Sequence, residues 1–423
     1  MRTALALTLS PFRASRRWFV GFSGGVDSTV LLHALANLPE GPWPEITAVH
    51  INHQLQSAAN DWEQHCQQQA AGLGVGFRAI RVTVAGSANR EAEARKARYA
   101  AFSSLLEEGD CLLLAHHQQD QAETLLYRLF RGAGVRGLSA MQRVTLLERG
   151  TLVRPLLDLP RSTVLAYAGE SGLRYVDDPS NVDVGYDRNY LRHRLVPVIE
   201  ARWPSAGAAL SRAARHLQEA SLLLDELAAM DLSSCEQRDD AEPWIDLSGI
   251  SLLSLSRQKN LLRYWLEKKG VALSEEQQRV LQEEFLLAAE DRQPCLVNGE
   301  KTLRRFRGRL YVTSARPVAW SDPISWHGLG VCHIPGYGRL ALSPPQDLAL
   351  TVEPRRGGEV VKPEGSAHTR TVKNLLHESQ IPPWQRERIP LVFLDGELVA
   401  VADLFHAEGA LDKLRGSRMV RVL

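Results

Sequence analysis

The stretch from Trp18 to Leu35 constrains the fold more than any other part of the chain, because it reads as strand, glycine-rich turn and helix without a break. Trp18, Phe19, Val20, Gly21 and Phe22 form a short apolar run, Ser23-Gly24-Gly25-Val26-Asp27-Ser28 follows, and helical periodicity resumes from Thr29 to Leu35. Such a turn gathers backbone amides. Adjacent glycines let those amides approach an anion, the new helix adds free N–H groups and its dipole, and Ser23 and Ser28 add hydroxyls. The expected feature is a phosphate cradle. No Gly-Lys-Ser/Thr pair closes it and the glycine spacing differs from a dinucleotide fingerprint, so neither of those nucleotide-binding classes applies.

The rest of the N-terminal third repeats this alternation. Ile46 to Ile51 is a compact apolar strand leading into Asn52-His53, Phe77 to Val84 alternates as a third strand, and Cys111 to Ala115 is the continuous apolar run of a buried parallel strand. Helical segments, Ala58 to Ala71 and Asn89 to Leu106, lie between them. The pattern predicts an α/β fold with a doubly wound parallel sheet. Right-handed crossovers then place Ser23 to Ser28, Asn52-His53 and His116 to Glu123 along one sheet edge.

Charge concentrates on that edge. Glu91, Arg95 and Arg98 fall on one face of the second of these helices. His116-His117-Gln118-Gln119-Asp120-Gln121-Ala122-Glu123-Thr124 opens the next helix, and its imidazoles, carboxylates and amides can bind a cation, an amine or Mg²⁺.

A chain of 423 residues is long for one core, and its length predicts about three domains, drawn at 1–205, 206–320 and 321–423. The formal net charge of +1 gives no overall field for nucleic acid, so any RNA contact must come from local patches. The five cysteines lack CxxC or zinc spacing, which predicts reduced thiols and a cytoplasmic location. The apolar start from Ala4 to Leu9 is too short for a secretion signal, and no stretch approaches the roughly twenty apolar residues of a membrane span.

Beyond Pro204, Ala206 to Met230, Ser256 to Lys269 and Ser274 to Glu290 carry helical periodicity, predicting a mainly helical domain. Lys301 to Arg309 then sets five cations around Phe306, expected as an exposed basic strand. Proline-rich stretches lead into a small α+β domain. There Arg370-Thr371-Val372-Lys373 opens a short helix, and Leu391 to Phe393 pairs with Leu398 to Ala402 around Asp395-Gly396.

Ser23 to Ser28 resembles the SGGxDS signature of the PP-loop ATP pyrophosphatases, which have an adenine nucleotide alpha hydrolase-like fold and cleave ATP between its α and β phosphates. Ala115 to Met141, AHHQQDQAETLLYRLFRGAGVRGLSAM, resembles the second signature of the tRNA(Ile)-lysidine synthetase family. Further pieces stand in that family's order: Asn52-His53-Gln54-Leu55, Arg154-Pro155-Leu156-Leu157, Asp177-Asp178-Pro179-Ser180-Asn181 and Arg188-Asn189-Tyr190-Leu191-Arg192. The resemblance covers roughly residues 15 to 205, with a weaker echo near the C-terminus. The family usually reads HHxDDQxET, and here Gln119 replaces the first aspartate, keeping a carbonyl acceptor but losing a charge. Gln54 stands where the family commonly has glycine.

The resemblance implies ATP-dependent ligation of lysine to C2 of the wobble cytidine of tRNA(Ile) with a CAU anticodon, through an adenylated cytidine. On that basis Ser23, Gly24, Gly25, Val26, Asp27 and Ser28 bind ATP, and Asp27 also holds Mg²⁺. Asp27, Asp120 and Arg192 are the expected catalytic residues, and His117, Asp120 and Glu123 the expected lysine site. Arg98, Arg188, Arg304, Arg305, Arg307, Arg370, Lys373 and Arg386 are the expected tRNA contacts. The implied partners are the tRNA, L-lysine and ATP, with no membrane and no obligate protein partner. A tRNA-thiolating PP-loop enzyme and a catalytically degenerate nucleotide- or RNA-binding protein are the alternatives.

Overall fold

Strand β1 (Trp18–Gly21) is the middle of a six-stranded sheet, and the alternation of its side chains explains why both faces are covered. Trp18 and Val20 point into one apolar layer and Phe19 into another, so helices must pack on each side. The computed structural model describes residues 1–39, 41–54, 58–83, 90–177, 183–237, 242–289, 292–316 and 320–422, in two units, Met1–Leu223 and Leu224–Leu423.

In the first unit, α1 (Arg2–Leu9) precedes β1, and α2 (Val26–Ala36), β2 (Ile46–Asn52), α3 (Ala59–Gly72), β3 (Gly76–Arg81), α4 (Arg90–Leu105), β4 (Cys111–Leu113) and α5 (Gln118–Leu129) follow. After the short α6 (Val135–Leu138) come β5 (Val144–Leu147) and β6 (Gly150–Val153), then α7 (Arg161–Glu170) and α8 (Asp187–Tyr190). A π-turn at Leu191–Leu195 and α9 (Val196–Arg202) follow, and α10 (Ala206–Ser233) begins in this unit and ends in the second. The sheet order is β3-β2-β1-β4-β6-β5, parallel except for β5, which pairs antiparallel with β6. Residues of α2, α3 and α7 join Trp18 and Val20 in one core, while Phe102 and Leu105 of α4 cover Phe19, Leu112 and Leu152 on the opposite face. This is the doubly wound α/β arrangement that the alternation implies.

Strand order reverses between β1 and β4. Loops at the carboxyl ends of those two strands therefore diverge, leaving a crevice at the switch point. The β5–β6 hairpin and α7 went unseen in the sequence because each strand has only four residues and Leu146 is exposed, which breaks the apolar pattern.

In the second unit the region expected to be mainly helical holds helices and a five-stranded antiparallel sheet. Helices α11 (Leu247–Ser251), α12 (Leu255–Lys268) and α13 (Glu275–Val280) pack on strands β7 (Glu236–Gln237), β8 (Trp244–Asp246), β9 (Cys295–Asn298), β10 (Lys301–Phe306) and β11 (Arg309–Ser314), in the order β7-β8-β11-β10-β9. Trp265, Phe285, Leu303 and Leu310 fill the shared core. The expectation of an exposed basic strand is corrected here. β10 lies between β9 and β11, and Thr302, Leu303, Arg305 and Phe306 are all buried, because both of its faces are covered.

Towards the C-terminus, Thr371 caps a helix at Val372–Glu378 by accepting from the Asn374 N–H, and Leu391–Leu394 pairs with Glu397–Val401. The hairpin turns through Asp395 (φ 49°) and Gly396 (φ 82°), the left-handed pair that suits strand twist.

Candidate active site

The cradle is built by β1 releasing the chain into a turn that only glycine permits. Gly24 has φ +83°, and a Cβ there would lie 2.9 Å from Cys66 Sγ of α3. The Gly24 carbonyl accepts from Val176 N–H at 2.9 Å and from Thr29 Oγ1 at 3.3 Å, which fixes the following peptide. Ser28 Oγ donates to the Gly25 carbonyl (3.0 Å) and accepts from Ser23 N–H (3.2 Å), and Ser23 Oγ accepts from Gly25 N–H (3.3 Å). The two hydroxyls also meet at 3.1 Å. The serines thus hold the loop in shape. Gly25 is the N-cap of α2 with no side-chain cap, so the leading amides of the helix are left for an anion.

Across the crevice, α5 begins with the opposite chemistry. His117 Nδ1 accepts from Gln119 N–H (3.2 Å) while Asp120 Oδ2 accepts from His117 N–H (3.0 Å), a reciprocal capping box. With Nδ1 accepting, the His117 proton sits on Nε2, which lies 3.4 Å from Asp120 and 3.6 Å from Asp27. Burial disfavours the imidazolium, yet the Asp27 and Asp120 carboxylates outweigh it and raise the His117 pKa. Asp27 links the two loops.

Arg192, delivered by the π-turn after α8, closes the cluster. Its Nε and Nη2 bond to Glu123 at 2.7 and 2.8 Å, and Nη2 reaches Asp120 at 3.1 Å. Burial works against the guanidinium, but Glu123 and Asp120 hold it firmly charged. Asp120 is likewise kept below the usual carboxylate range, its burial outweighed by His117, which also donates its backbone N–H, and by Arg192. Burial raises the Glu123 pKa despite its bonds to Arg192, and the three acidic side chains Asp27, Asp120 and Glu123 together face one arginine and His117, a lining suited to a further cation.

A second group of charges stands alongside. Arg154, buried, donates to Gln142 O (2.6 Å) and Thr145 Oγ1 (3.3 Å), and its guanidinium feels Arg95. Burial, then Arg188, Arg95 and Arg154, lower the Arg128 pKa. Arg188 also donates to Thr124 Oγ1 at 3.3 Å. Burial, with Arg154, Arg98 and Arg95 nearby, pushes His116 down to about 3 despite Asp120. His116 is consequently neutral. A concentration of guanidiniums beside a capped acidic pocket suits a phosphodiester backbone whose base enters the pocket.

Of the residues singled out in the sequence, Ser23 to Ser28, His117, Asp120, Glu123 and Arg192 converge, with Arg98 and Arg188 at their margin. The side chain of Glu91 and the Asp178 to Asn181 segment lie outside the described residues, as does Leu55. The contacts of Cys66 and Val176 to the loop were missed, since a backbone bond and a packing sulfur leave no signature in composition or spacing. Arg128 and Arg154 stood inside recognisable motifs, and their clustering shows only in three dimensions.

The second unit groups other basic residues. Arg304 lies 5.2 Å from the Trp384 ring centroid and donates to Thr313 Oγ1, while burial, then Arg307 at the exposed β10–β11 turn and Arg355, lower the Arg386 pKa. Arg305 is turned inward, donating to Ala288 O at 2.9 Å. Arg370 is ion-paired with Glu378, and Lys373 is exposed on the helix between them. Trp384 Nε1, Gln385 Nε2 and Arg388 Nη1 all donate to the buried Glu242 carboxylate, at 2.7, 3.0 and 3.1 Å.

No cluster of three or more histidine, cysteine or acidic side chains has metal-binding geometry among the described residues. Asp27 Oδ1 is nonetheless buried without a hydrogen-bond partner, which fits a single carboxylate ligand to an ion otherwise held by phosphates. Also among the described residues, no helix is long and apolar enough to cross a membrane.

Comparison with known proteins follows the same division. Residues 2–199 match a PP-loop domain, 245–311 a TilS substrate binding domain and 350–421 a TilS substrate C-terminal domain. The chain is 42% identical to the tRNA(Ile)-lysidine synthase of Pseudomonas fluorescens, with 98% of this chain and 95% of the relative covered. It is 43% identical to that of Pseudomonas aeruginosa (96% and 93% covered) and 40% identical to that of Coxiella burnetii (95% and 92% covered). With a match of this extent along nearly the whole length of both chains, the protein belongs to the tRNA(Ile)-lysidine synthase family.

Proposed function

We propose that the protein is an ATP-dependent ligase that joins the ε-amine of L-lysine to C2 of the wobble cytidine in tRNA(Ile) bearing a CAU anticodon. The observation that carries this reading is the pairing of an anion-binding helix terminus with an acidic, cation-receptive one across a single crevice.

Cytidine is a weak electrophile at C2, so its O2 must first become a leaving group. O2 attacks the α phosphate of ATP, the bond to the β phosphate breaks, and pyrophosphate departs. The free amides at the head of α2 and the Gly24–Gly25 peptide receive the charge that develops on it. Asp27 is the residue that would hold Mg²⁺, which when bound neutralises phosphate oxygens. Lysine nitrogen then attacks C2, and the C2–O2 bond breaks to release AMP.

Asp120 and Glu123 supply the negative field for the amino acid, and Arg192 spans both carboxylates so that neither stands as an unpaired buried charge. His117, with Nε2–H facing Asp27 and Asp120, relays the proton the attacking amine must lose by passing its own Nε2 proton to one of these carboxylates and taking up the amine's in its place. Arg98 and Arg188 at the margin of the pocket hold the anticodon backbone. In the second unit Arg304, Arg307, Arg370, Lys373 and Arg386 contact more distant tRNA phosphates, whereas Arg305, buried and bonded to Ala288, supports the strand.

The test supplies tRNA(Ile), lysine and ATP and analyses the digested nucleosides by mass. A cytidine gaining lysine supports the reading, and Asp27→Asn and Asp120→Asn should each reduce the yield by about a hundredfold. An unmodified cytidine in the wild-type reaction overturns it.

A further inference from the structure

The far end of α5 carries an apolar surface that the chemistry above does not use. Phe130 is 66% exposed, Leu129 48% and Val135 38%, large side chains facing solvent close together in sequence in the first unit. The segment bearing them is held firmly. Arg128 Nη1 donates to Gly137 O (2.7 Å) and Ala140 O (2.9 Å), and the buried Gln121 side chain exchanges two hydrogen bonds with the Met141 backbone (2.8 and 2.9 Å). Gln218 Nε2 adds bonds to Ser139 O (2.7 Å) and Met141 O (2.9 Å). Gly132, at φ +71°, turns the chain sharply after the helix, so Phe130 projects from a fixed corner.

The stretch of chain that forms this corner is basic. From Thr124 to Leu147 the sequence has four arginines and no acidic residue. Arg143 pairs with Asp158, Arg131 stacks on Tyr127 with its guanidinium carbon 5.2 Å from the ring, and Arg136 stands at the surface. An apolar ring rimmed by cations is the composition of a platform for unpaired bases, in which the face stacks and the rim meets phosphate.

Spacing links the platform to the pocket. The 12 residues of α5 rise about 1.5 Å each, so Phe130 stands about 18 Å from the helix N-terminus that holds His117 and Asp120. Stacked nucleotides advance about 3.4 Å each, so about five span the same distance. A hairpin loop that places its target cytidine at the head of α5 can set another of its unpaired bases at the tail.

We infer that Phe130, rimmed by Arg131 and Arg136, is a stacking platform for an unpaired base of the RNA loop that presents the cytidine; this rests on the function proposed above. The platform makes α5 a ruler, with chemistry at one end and loop recognition at the other.

The test uses the full-length protein and a stem-loop RNA containing the target cytidine, with 2-aminopurine placed in turn at each other unpaired position. Wild-type protein should quench one position. Phe130→Ala should abolish that quenching and raise KM for the RNA roughly fivefold or more, with KM for ATP and lysine unchanged, and Phe130→Tyr should restore both. If wild-type protein adds no lysine to the RNA, the functional reading itself fails. If it does, and Phe130→Ala matches wild type in quenching and KM, the platform alone is refuted. A change of oligomeric state or of unfolding midpoint in Phe130→Ala with unaltered RNA affinity refutes it equally, assigning the ring to a protein contact.

Discussion

The heads of α2 and α5 face the same crevice and both start from an extended N-cap residue, yet they are furnished in opposite ways. At α2 the cap is Gly25, which brings no side-chain acceptor, and the serines bond to the loop itself. At α5 the first turn is already satisfied by His117 and by the Asp120 carboxylate in the capping box. An anion is welcome at the first terminus and excluded from the second. The lesson is that a helix N-terminus acquires its ligand preference from what occupies the cap, the dipole being common to both.

The sharpest way to break this contrast is Gly24→Ala. The substitution demands a positive φ from alanine and drives its Cβ against Cys66 Sγ, so the amides of the loop lose their alignment. Pyrophosphate release should fall by about a hundredfold or more, measured at saturating ATP. Cys66→Ala in the same chain should restore only part of the loss, since the backbone strain remains. Full recovery would mean that the sulfur contact alone requires glycine.

At the α5 terminus Arg192→Met leaves Asp120 and Glu123 buried without their cation. Denaturant unfolding should show a loss of about 3 kcal/mol, and KM for lysine should change far more than KM for ATP. Equal effects on the two substrates would erase the distinction between the termini.

An effect confined to acid conditions concerns His116. Its pKa is about 3 in the folded protein against an ordinary 6.5, so below about pH 6.5 the unfolded chain takes up a proton that the folded chain refuses. Stability contributed by the neutral ring is present above that pH and declines as pH falls towards 3. His116→Gln should flatten this decline in the denaturation midpoint between pH 6.5 and 4, and an unchanged slope would assign the acid sensitivity elsewhere.

How much of this was legible in the sequence depends on whether the cause was local. SGGVDS and HHQQDQAET are contiguous, and strand-to-helix alternation around them gave both the doubly wound sheet and its edge. The salt bridge of Arg192 to Glu123 joins residues 69 positions apart and cannot be read from periodicity. The same holds for Val176 on Gly24. β10 misled for another reason: alternating cations suggested an exposed strand, whereas Arg305 turns inward to donate Nη1 to the Ala288 carbonyl and Arg304 lies against Trp384. Burial of a paired arginine looks, in one dimension, like a surface.

The smallest expected effect belongs to that second unit. Arg307→Ala should weaken tRNA binding only a few-fold and reduce the slope of log affinity against log salt by about one, leaving turnover at saturating tRNA intact. A loss of turnover would bring this turn into the chemistry.

The most direct test of the central claim follows ATP labelled separately in its α and γ phosphates. With tRNA(Ile) and lysine both present, the α label should appear in AMP and the γ label in pyrophosphate, one of each per lysine incorporated. Label recovered in ADP and orthophosphate, or AMP formed in excess of lysine and indifferent to its presence, would contradict the account.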